Sequence, residues 1–408
     1  MNQRQKVLWA VSTIGTGHVY RSVAISEELA RLVGPLDIIF VSGAAAYEVL
    51  RAERLKCLEG LIPVKVPVRD GYLNTMAFVR DWISKEEQNA GMFYQLVNHY
   101  QPSLVVADEL PSLTSVAHGL GVPSALVTDF FFIETTKPFT RNLLFNTLLA
   151  VVGPLVQPLV RHGYEQIERI IFADHLTRLH GRWREWAKRH AQAVGPIVRP
   201  RKGTVDVRGE LGIDPNQRLI IVTVGGSAAG TYLLETAIRA FPQIKAAVPE
   251  AAMLLVLGPS ISQRALPPVS TPGFFVRQHV PDLIEYLAAC DLAVCTSGHS
   301  TLNEIALRAR VPTITCPIGN HWEQIGNALQ AQKVGYARMI ERHKLTPAGL
   351  AQEVVTILTN RSLSEQMSRA AHSVVELDGA SRAAVALASL LARRDQTEER
   401  ITVPPVYL

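Results

Sequence analysis

The chain of 408 residues reads as an α/β protein built from two Rossmann-like, doubly wound domains that face each other across a cleft. Three observations predict this. Short β-branched runs alternate with longer helical patterns from end to end, as parallel α/β architecture requires. The pattern restarts midway, after a stretch rich in Pro, Gly and charge from Pro196 to Gly203. The chain is also longer than a single hydrophobic core usually supports.

Taken in order, strands are expected at Val7–Ser12, Asp37–Val41, Leu104–Ala107, Ala125–Thr128 and Ile170–Phe172. Helices are expected over Val19–Val33, Ala44–Arg54, Met76–Asn98 and Pro111–Gly119. The second half gives strands at Leu219–Val224, Met253–Leu257, Phe274–Arg277, Leu292–Cys295 and Thr313–Cys316. The expected division is an N-terminal domain over 1–195, a linker over 196–203 and a C-terminal domain over 204–374. A helix over 375–395 then packs back on the first domain, and a frayed polar tail covers 396–408. No repeat at solenoid periods is visible.

Composition narrows the function. The chain is 48% hydrophobic and 19% charged, an ordinary globular balance. A net charge of +5 suits a polyanionic ligand or an anionic membrane face, but the basic residues are scattered and no nucleic-acid motif is present. Four cysteines (Cys57, Cys290, Cys295, Cys316) form no CxxC pair, which favours the reducing cytoplasm. The segment Met1–Lys6 is polar and does not read as a signal peptide. Leu143–Val160, the most apolar stretch, is broken by Asn146, Pro154, Gln157 and Pro158 and is too short to span a bilayer.

Six places in the sequence carry candidate chemistry. Thr296-Ser297-Gly298-His299-Ser300-Thr301-Leu302-Asn303-Glu304 follows an apolar strand and opens a helix, so its backbone N–H groups and helix dipole favour an anion. A carboxylate at Glu304 can accept from a diol beside that turn, which together describes a nucleotide diphosphate with its ribose. Equally, Thr301 to Glu304 spells a capping box, in which Glu304 only returns to the cap. Thr13-Ile14-Gly15-Thr16-Gly17-His18 ends the first strand and is expected to project His18 into the cleft from a strand end. A βα turn with a capping histidine is the alternative. Asp108, after the strand Leu104–Ala107, either orients that imidazole as a general base or caps the helix starting at Pro111. Gly225-Gly226-Ser227 repeats the small-residue turn in the other domain, and fits either a phosphate or sugar or close helix–sheet packing. Glu323 and Gln324 open a later helix, and His279 and Val280 lie on a strand-end loop able to frame a base.

Together these motifs resemble the GT-B nucleotide-sugar glycosyltransferases over nearly the whole chain. Phe275 to Ala328 looks like the donor-binding block of UDP-glycosyltransferases and of the lipid II N-acetylglucosaminyltransferase. The resemblance implies that Glu304 holds the ribose and that the turn Gly298, Ser300, Thr301 holds the diphosphate. It implies that Glu323 and Gln324 reach the donor sugar or ribose. Gly17, Gly226 and Ser227 match the family's glycine loops, and His18 with Asp108 matches its base and orienting aspartate. Thr296 departs from the pattern, standing where many relatives place a phosphate-binding histidine. His299 occupies a position not fixed across the family and is left unassigned.

The expected function is therefore an inverting, metal-independent transfer of a hexose or N-acetylhexosamine from a UDP-sugar to a hydroxyl acceptor, with no cofactor beyond that co-substrate. Phe130-Phe131-Phe132 and Leu143–Val160 suit a lipophilic acceptor or lipid, with peripheral contact at the inner membrane face; core packing accounts for them as well. Two rivals stay open. One is a UDP-sugar hydrolase of the pseudaminic acid pathway type, which Gly15 to Arg21 also resembles; the other is a non-catalytic nucleotide-sugar-binding subunit.

Overall fold

Strands buried on both faces must be apolar throughout, and the longest runs here obey that rule. The computed structural model describes residues 4–129, 161–179, 181–226, 228–280 and 282–402. In the first half the strands are β1 (Lys6–Val11), β2 (Asp37–Ser42) and β3 (Cys57–Glu59), then the short hairpin β4 (Val68–Arg69) and β5 (Tyr72–Leu73). They continue with β6 (Leu104–Asp108), β7 (Ser124–Thr128), β8 (Arg169–Phe172) and β9 (Ala191–Ala193). All but the hairpin form one parallel sheet in the order β3-β2-β1-β6-β7-β8-β9. The second half adds β10 (Arg218–Thr223), β11 (Ala251–Val256), β12 (Phe274–Arg277), β13 (Leu292–Cys295), β14 (Thr313–Thr315) and β15 (Ala337–Met339). These make a second parallel sheet, β12-β11-β10-β13-β14-β15. In each sheet the strand order reverses beside the first strand, between β1 and β6 and between β10 and β13. Such switch points open a crevice at the carboxyl ends of the strands, where ligands bind.

Three elements join the halves. The helix Gly379–Thr402 returns to the first sheet, burying Ala383, Ala384, Leu387, Leu390 and Leu391 in the cluster that holds Trp9, Ile25 and Leu29. Alanine at the contact lets it lie close to the Gly17–Val33 helix. This helix continues through Thr402, beyond the expected start of the tail at 396. The linker is held by Glu285, whose carboxylate accepts from Arg201 Nε at 2.9 Å and from the backbone of Lys202 and Gly203. The β4–β5 hairpin leaves its own domain: Leu73 N donates to Gly319 O and Gly319 N to Gly71 O, both at 2.8 Å. Leu73 is buried in the core of the C-terminal sheet. Among the described residues no helix is long and apolar enough to cross a membrane.

Candidate active site

Between the two switch points lies a cleft of about 230 Å³. Its near wall begins where β1 turns through Gly15 into the helix Gly17–Val33. That helix starts two residues earlier than the sequence pattern suggests, so His18 stands in its first turn and not at a strand end. Asp108 is the last residue of β6, fully buried. It does not cap the following helix, whose N-cap is Leu110. Its Oδ1 lies 2.9 Å from His18 Nδ1, and its Oδ2 accepts from Arg21 Nε at 3.0 Å and Ser22 Oγ at 2.9 Å. Arg21 Nη2 closes a second, shorter bond to Oδ1. Burial raises the Asp108 carboxyl, but the Arg21 guanidinium and His18 outweigh it and hold the group below its ordinary value. Arg21 Nη2 also lies 3.0 Å from His18 Nδ1, but its proton is taken by Asp108 Oδ1. An ionised Asp108 can only accept, which assigns the imidazole proton to Nδ1 and leaves Nε2 as the basic nitrogen. Nε2 has no hydrogen-bond partner among the described residues.

The far wall is the turn after β13. Ser297 takes a left-handed backbone (φ 63°) and Gly298 caps the helix His299–Glu304 without any side-chain bond. The capping box over Thr301–Glu304 is therefore not formed, because Thr301 already lies inside the helix. Glu304 instead has its carboxylate buried in the cleft wall, 9% exposed, with no hydrogen-bond partner among the described residues. Burial pushes it up to about 7, opposed by Arg199. Thr296 is buried and lies 3.4 Å from the Val224 carbonyl, to which its hydroxyl donates. Ser297 Oγ donates to Gln324 O at 3.0 Å. Ser300 and Thr301 keep hydroxyls at the cleft that bond to nothing else among the described residues.

The glycine loops meet across the gap. A Cβ on Gly17 would collide with Ser300 Oγ, and one on Gly226 would come within 2.7 Å of Thr16. Gly17, His18, Gly226, His279, Val280, Gly298, Ser300, Thr301, Glu304, Glu323 and Gln324 all line the same cleft, and Asp108 stands directly behind His18. Ser227 and the acceptor candidates Phe130–Phe132 and Leu143–Val160 lie outside the described residues. Glu323 Oε1 accepts from Asn327 at 3.2 Å, and Gln324 Oε1 from Ile318 N at 3.1 Å.

Several lining residues carried no signal in the sequence. An aromatic wall of Phe78, Trp82, Tyr164 and Trp322 comes from both domains, with Phe78 and Trp322 ring centroids 5.8 Å apart. Arg199 of the linker stacks on Tyr20 at 3.8 Å. Glu109, in a left-handed conformation (φ 58°), accepts from Asp129 N at 2.8 Å and Thr128 Oγ1 at 3.0 Å. Burial and Asp129 push its carboxyl well above the ordinary range.

Comparison with known proteins agrees with this geometry. Residues 219–383 match the glycosyltransferase family 28 C-terminal domain. Over 382 residues the chain is 23% identical to an uncharacterized glycosyltransferase of Methanosarcina acetivorans, covering 92% of this chain and 95% of that one. Over 123 residues it is 35% identical to the UDP-N-acetylglucosamine–N-acetylmuramyl-(pentapeptide) pyrophosphoryl-undecaprenol N-acetylglucosamine transferase of Anaeromyxobacter sp. (strain K), covering 29% and 31% of the two chains. Among solved structures, the calicheamicin glycosyltransferase CalG4 superimposes with a TM-score of 0.65 at 17% identity, covering 96% and 99%. The glycosyltransferase VinC, solved with dTDP, gives 0.61 at 16%, covering 95% and 100%. The chain is a glycosyltransferase of GT-B fold whose residues 219–383 form a family 28 C-terminal domain.

Proposed function

We propose that the chain transfers a sugar from a UDP-sugar to a hydroxyl acceptor with inversion at the anomeric carbon and without a metal ion. The observation that carries this is the pairing of two features in one cleft. His18, oriented through Nδ1 by buried Asp108, shares the cleft with the donor-side turn and with Glu304 in the helix behind it, buried with no hydrogen-bond partner among the described residues. In this reading Glu304 accepts from the ribose hydroxyls. The diphosphate rests on the turn Gly298–Thr301, where backbone N–H groups and the hydroxyls of Ser300 and Thr301 meet its charge. His18 Nε2 takes the acceptor proton as the acceptor oxygen bonds to the anomeric carbon, and the bond from that carbon to the diphosphate breaks. UDP leaves on the same turn. Glu323 and Gln324 stand at the sugar end and His279 and Val280 at the base end.

The aromatic side chains of Phe78, Trp82, Tyr164 and Trp322, which line the same cleft as His18, support a lipophilic acceptor. Relatives whose names specify an undecaprenol-linked acceptor support a lipid at a membrane face.

The test is kinetic. His18→Ala is expected to lose about 10²–10⁴ in turnover with UDP affinity unchanged; near-normal turnover overturns the assignment of the base. Thermal-shift screening of UDP- and TDP-sugars identifies the donor. Incubation of the best donor without acceptor separates transfer from hydrolysis, since a hydrolase releases free sugar.

A further inference from the structure

His299 lies in the donor-side turn, yet its ring is committed to the opposite domain. It is 7% exposed, with Nδ1 2.9 Å from Asp129 Oδ2 and Nε2 2.7 Å from Asp174 Oδ2. Asp129 follows β7 and Asp174 follows β8. Both partners are carboxylates, which only accept, so both ring nitrogens carry protons and the ring is a cation. Burial alone would lower its pKa, but Asp129 and Asp174 outweigh that and raise it to about 9. The neighbouring Asn303 Nδ2 lies 3.1 Å from His299 Nε2 and donates to the His299 carbonyl at 3.0 Å, which leaves Nε2 to Asp174 at 2.7 Å. His299 therefore has no free nitrogen to serve the diphosphate in place of the residue missing at Thr296.

From Asp129 the contacts continue to the base. Asp129 Oδ2 is 3.1 Å from Arg21 Nη1, Arg21 Nε is 3.0 Å from Asp108 Oδ2, and Asp108 Oδ1 is 2.9 Å from His18 Nδ1. Every member is buried except His18, which opens on the cleft. On the other side Asp174 pairs with Arg178, which donates to Asn327 Oδ1. Asn327 in turn donates to Ser297 O at 3.1 Å, in the donor turn itself. The three aspartates Asp108, Asp129 and Asp174 all lie on the N-terminal sheet, so separation of the domains breaks the network at His299 and at the Arg178–Asn327 contact.

We propose that His299 is a positioning residue: through Asp129 and Arg21 it couples docking of the donor-side helix to the alignment of the His18–Asp108 pair. This rests on His18 being the base. Withdrawal of His299 leaves Asp129 to swing with Arg21, which is shared among Asp108, Glu109 and Asp129. A misplacement of about 1 Å at a catalytic group costs about 10²-fold in rate. Truncation removes one buried cation, but each aspartate keeps a guanidinium, Asp129 that of Arg21 and Asp174 that of Arg178. The variant is therefore expected to fold.

The experiment compares wild type, His299→Ala, Asp129→Asn, the double variant and His18→Ala in full-length protein. His299→Ala is expected to lose about 10- to 10²-fold in kcat, with UDP affinity changed by less than about threefold. Asp129→Asn loses a similar factor, and the double variant loses no more than the larger single, because both break one connection. The groups facing His299 are Asp129 and Asp174, with Arg21 and Arg178 behind them, so the His299 cation is the member of this set that discharges near pH 9. Wild-type kcat is expected to fall as pH rises through about 9, and that limb to be missing in His299→Ala. A lowered thermal midpoint with unchanged kcat and unchanged pH profile overturns the proposal. So do losses that multiply in the double variant. If His18→Ala stays active, the base reading fails instead; if it is inactive while His299→Ala is normal, only the coupling falls.

Discussion

Glu304→Gln separates a ligand-holding carboxylate from a structural one by opposite signs. Burial, opposed only in part by Arg199, moves the Glu304 carboxyl from its ordinary 4.5 to about 7, which corresponds to about 3 kcal/mol against the ionised form at high pH. The sign follows from linkage. Below 4.5 the group is protonated both folded and unfolded and contributes nothing. Between 4.5 and about 7 the unfolded chain ionises first, and stability falls as pH rises. Above about 7 the full penalty is in force. Glutamine mimics the protonated acid, so Glu304→Gln is expected to match wild type near pH 5 and exceed it near pH 8.5 by up to about 3 kcal/mol. For a domain of this size that is about 6–12 °C in thermal midpoint. The same substitution weakens UDP by about ten- to hundredfold, because a charged acceptor of the ribose hydrogen bonds is lost. Differential scanning fluorimetry at both pH values, with and without UDP, reads both effects. A variant that is less stable than wild type at pH 8.5 and binds UDP normally refutes the reasoning, since a structural role predicts that result.

Other perturbations follow from the same contacts. Asp108→Asn places an amide N–H against Arg21 in a fully buried site, and should cost about 3–5 kcal/mol in denaturant unfolding while lowering turnover. Stability contributed by His299 is complete below pH 6.5 and lost as pH rises through about 9, so the wild-type midpoint should fall over that interval while that of His299→Ala stays flat. Gly226→Ala drives a methyl to within 2.7 Å of Thr16 across the cleft, and should lower kcat/KM while leaving the thermal midpoint near that of wild type. Leu387→Ala opens a hole where the last helix meets the first sheet and should cost about 2–5 kcal/mol by denaturation.

Much of this architecture was legible in the sequence because parallel strands buried on both faces leave an apolar run bounded by turn residues. Phe274–Arg277 and Leu292–Cys295 match the observed strands to the residue. The strands left unread are β3, β4, β5, β9 and β15, each of two or three residues, mostly partly exposed at sheet edges or in the hairpin. A run that short has no period to detect. Residue types at the site were legible for the same reason as the strands, since a switch point puts small and charged residues at predictable ends. Side-chain direction was not. Whether Asp108 caps a helix or faces His18, and whether Glu304 returns to a cap or stays unpaired, differ only in where the carboxylate points. His299 was beyond reach altogether, because its partner Asp174 lies 125 residues away and belongs to the other sheet.

The charge count of the buried cluster bears on what the donor turn must do alone. Arg21, Arg178 and His299 supply three cations, while Asp108, Asp129 and Asp174 are held ionised below their ordinary values. Burial and Asp129 push the Glu109 carboxyl upward, against Arg21. The three cations and the three aspartates cancel, so together they offer a diphosphate no net attraction. Its cations are also saturated: Arg21 by Asp108 and Asp129, Arg178 by Asp174, His299 by Asp129 and Asp174. With the Thr296 hydroxyl turned to a backbone carbonyl, the proposed diphosphate site reduces to backbone N–H groups and the hydroxyls of Ser300 and Thr301. In that arrangement the charge-balanced cluster organises the base and the turn binds the leaving group, and the two duties meet at His299 and at the Arg178–Asn327–Ser297 contacts.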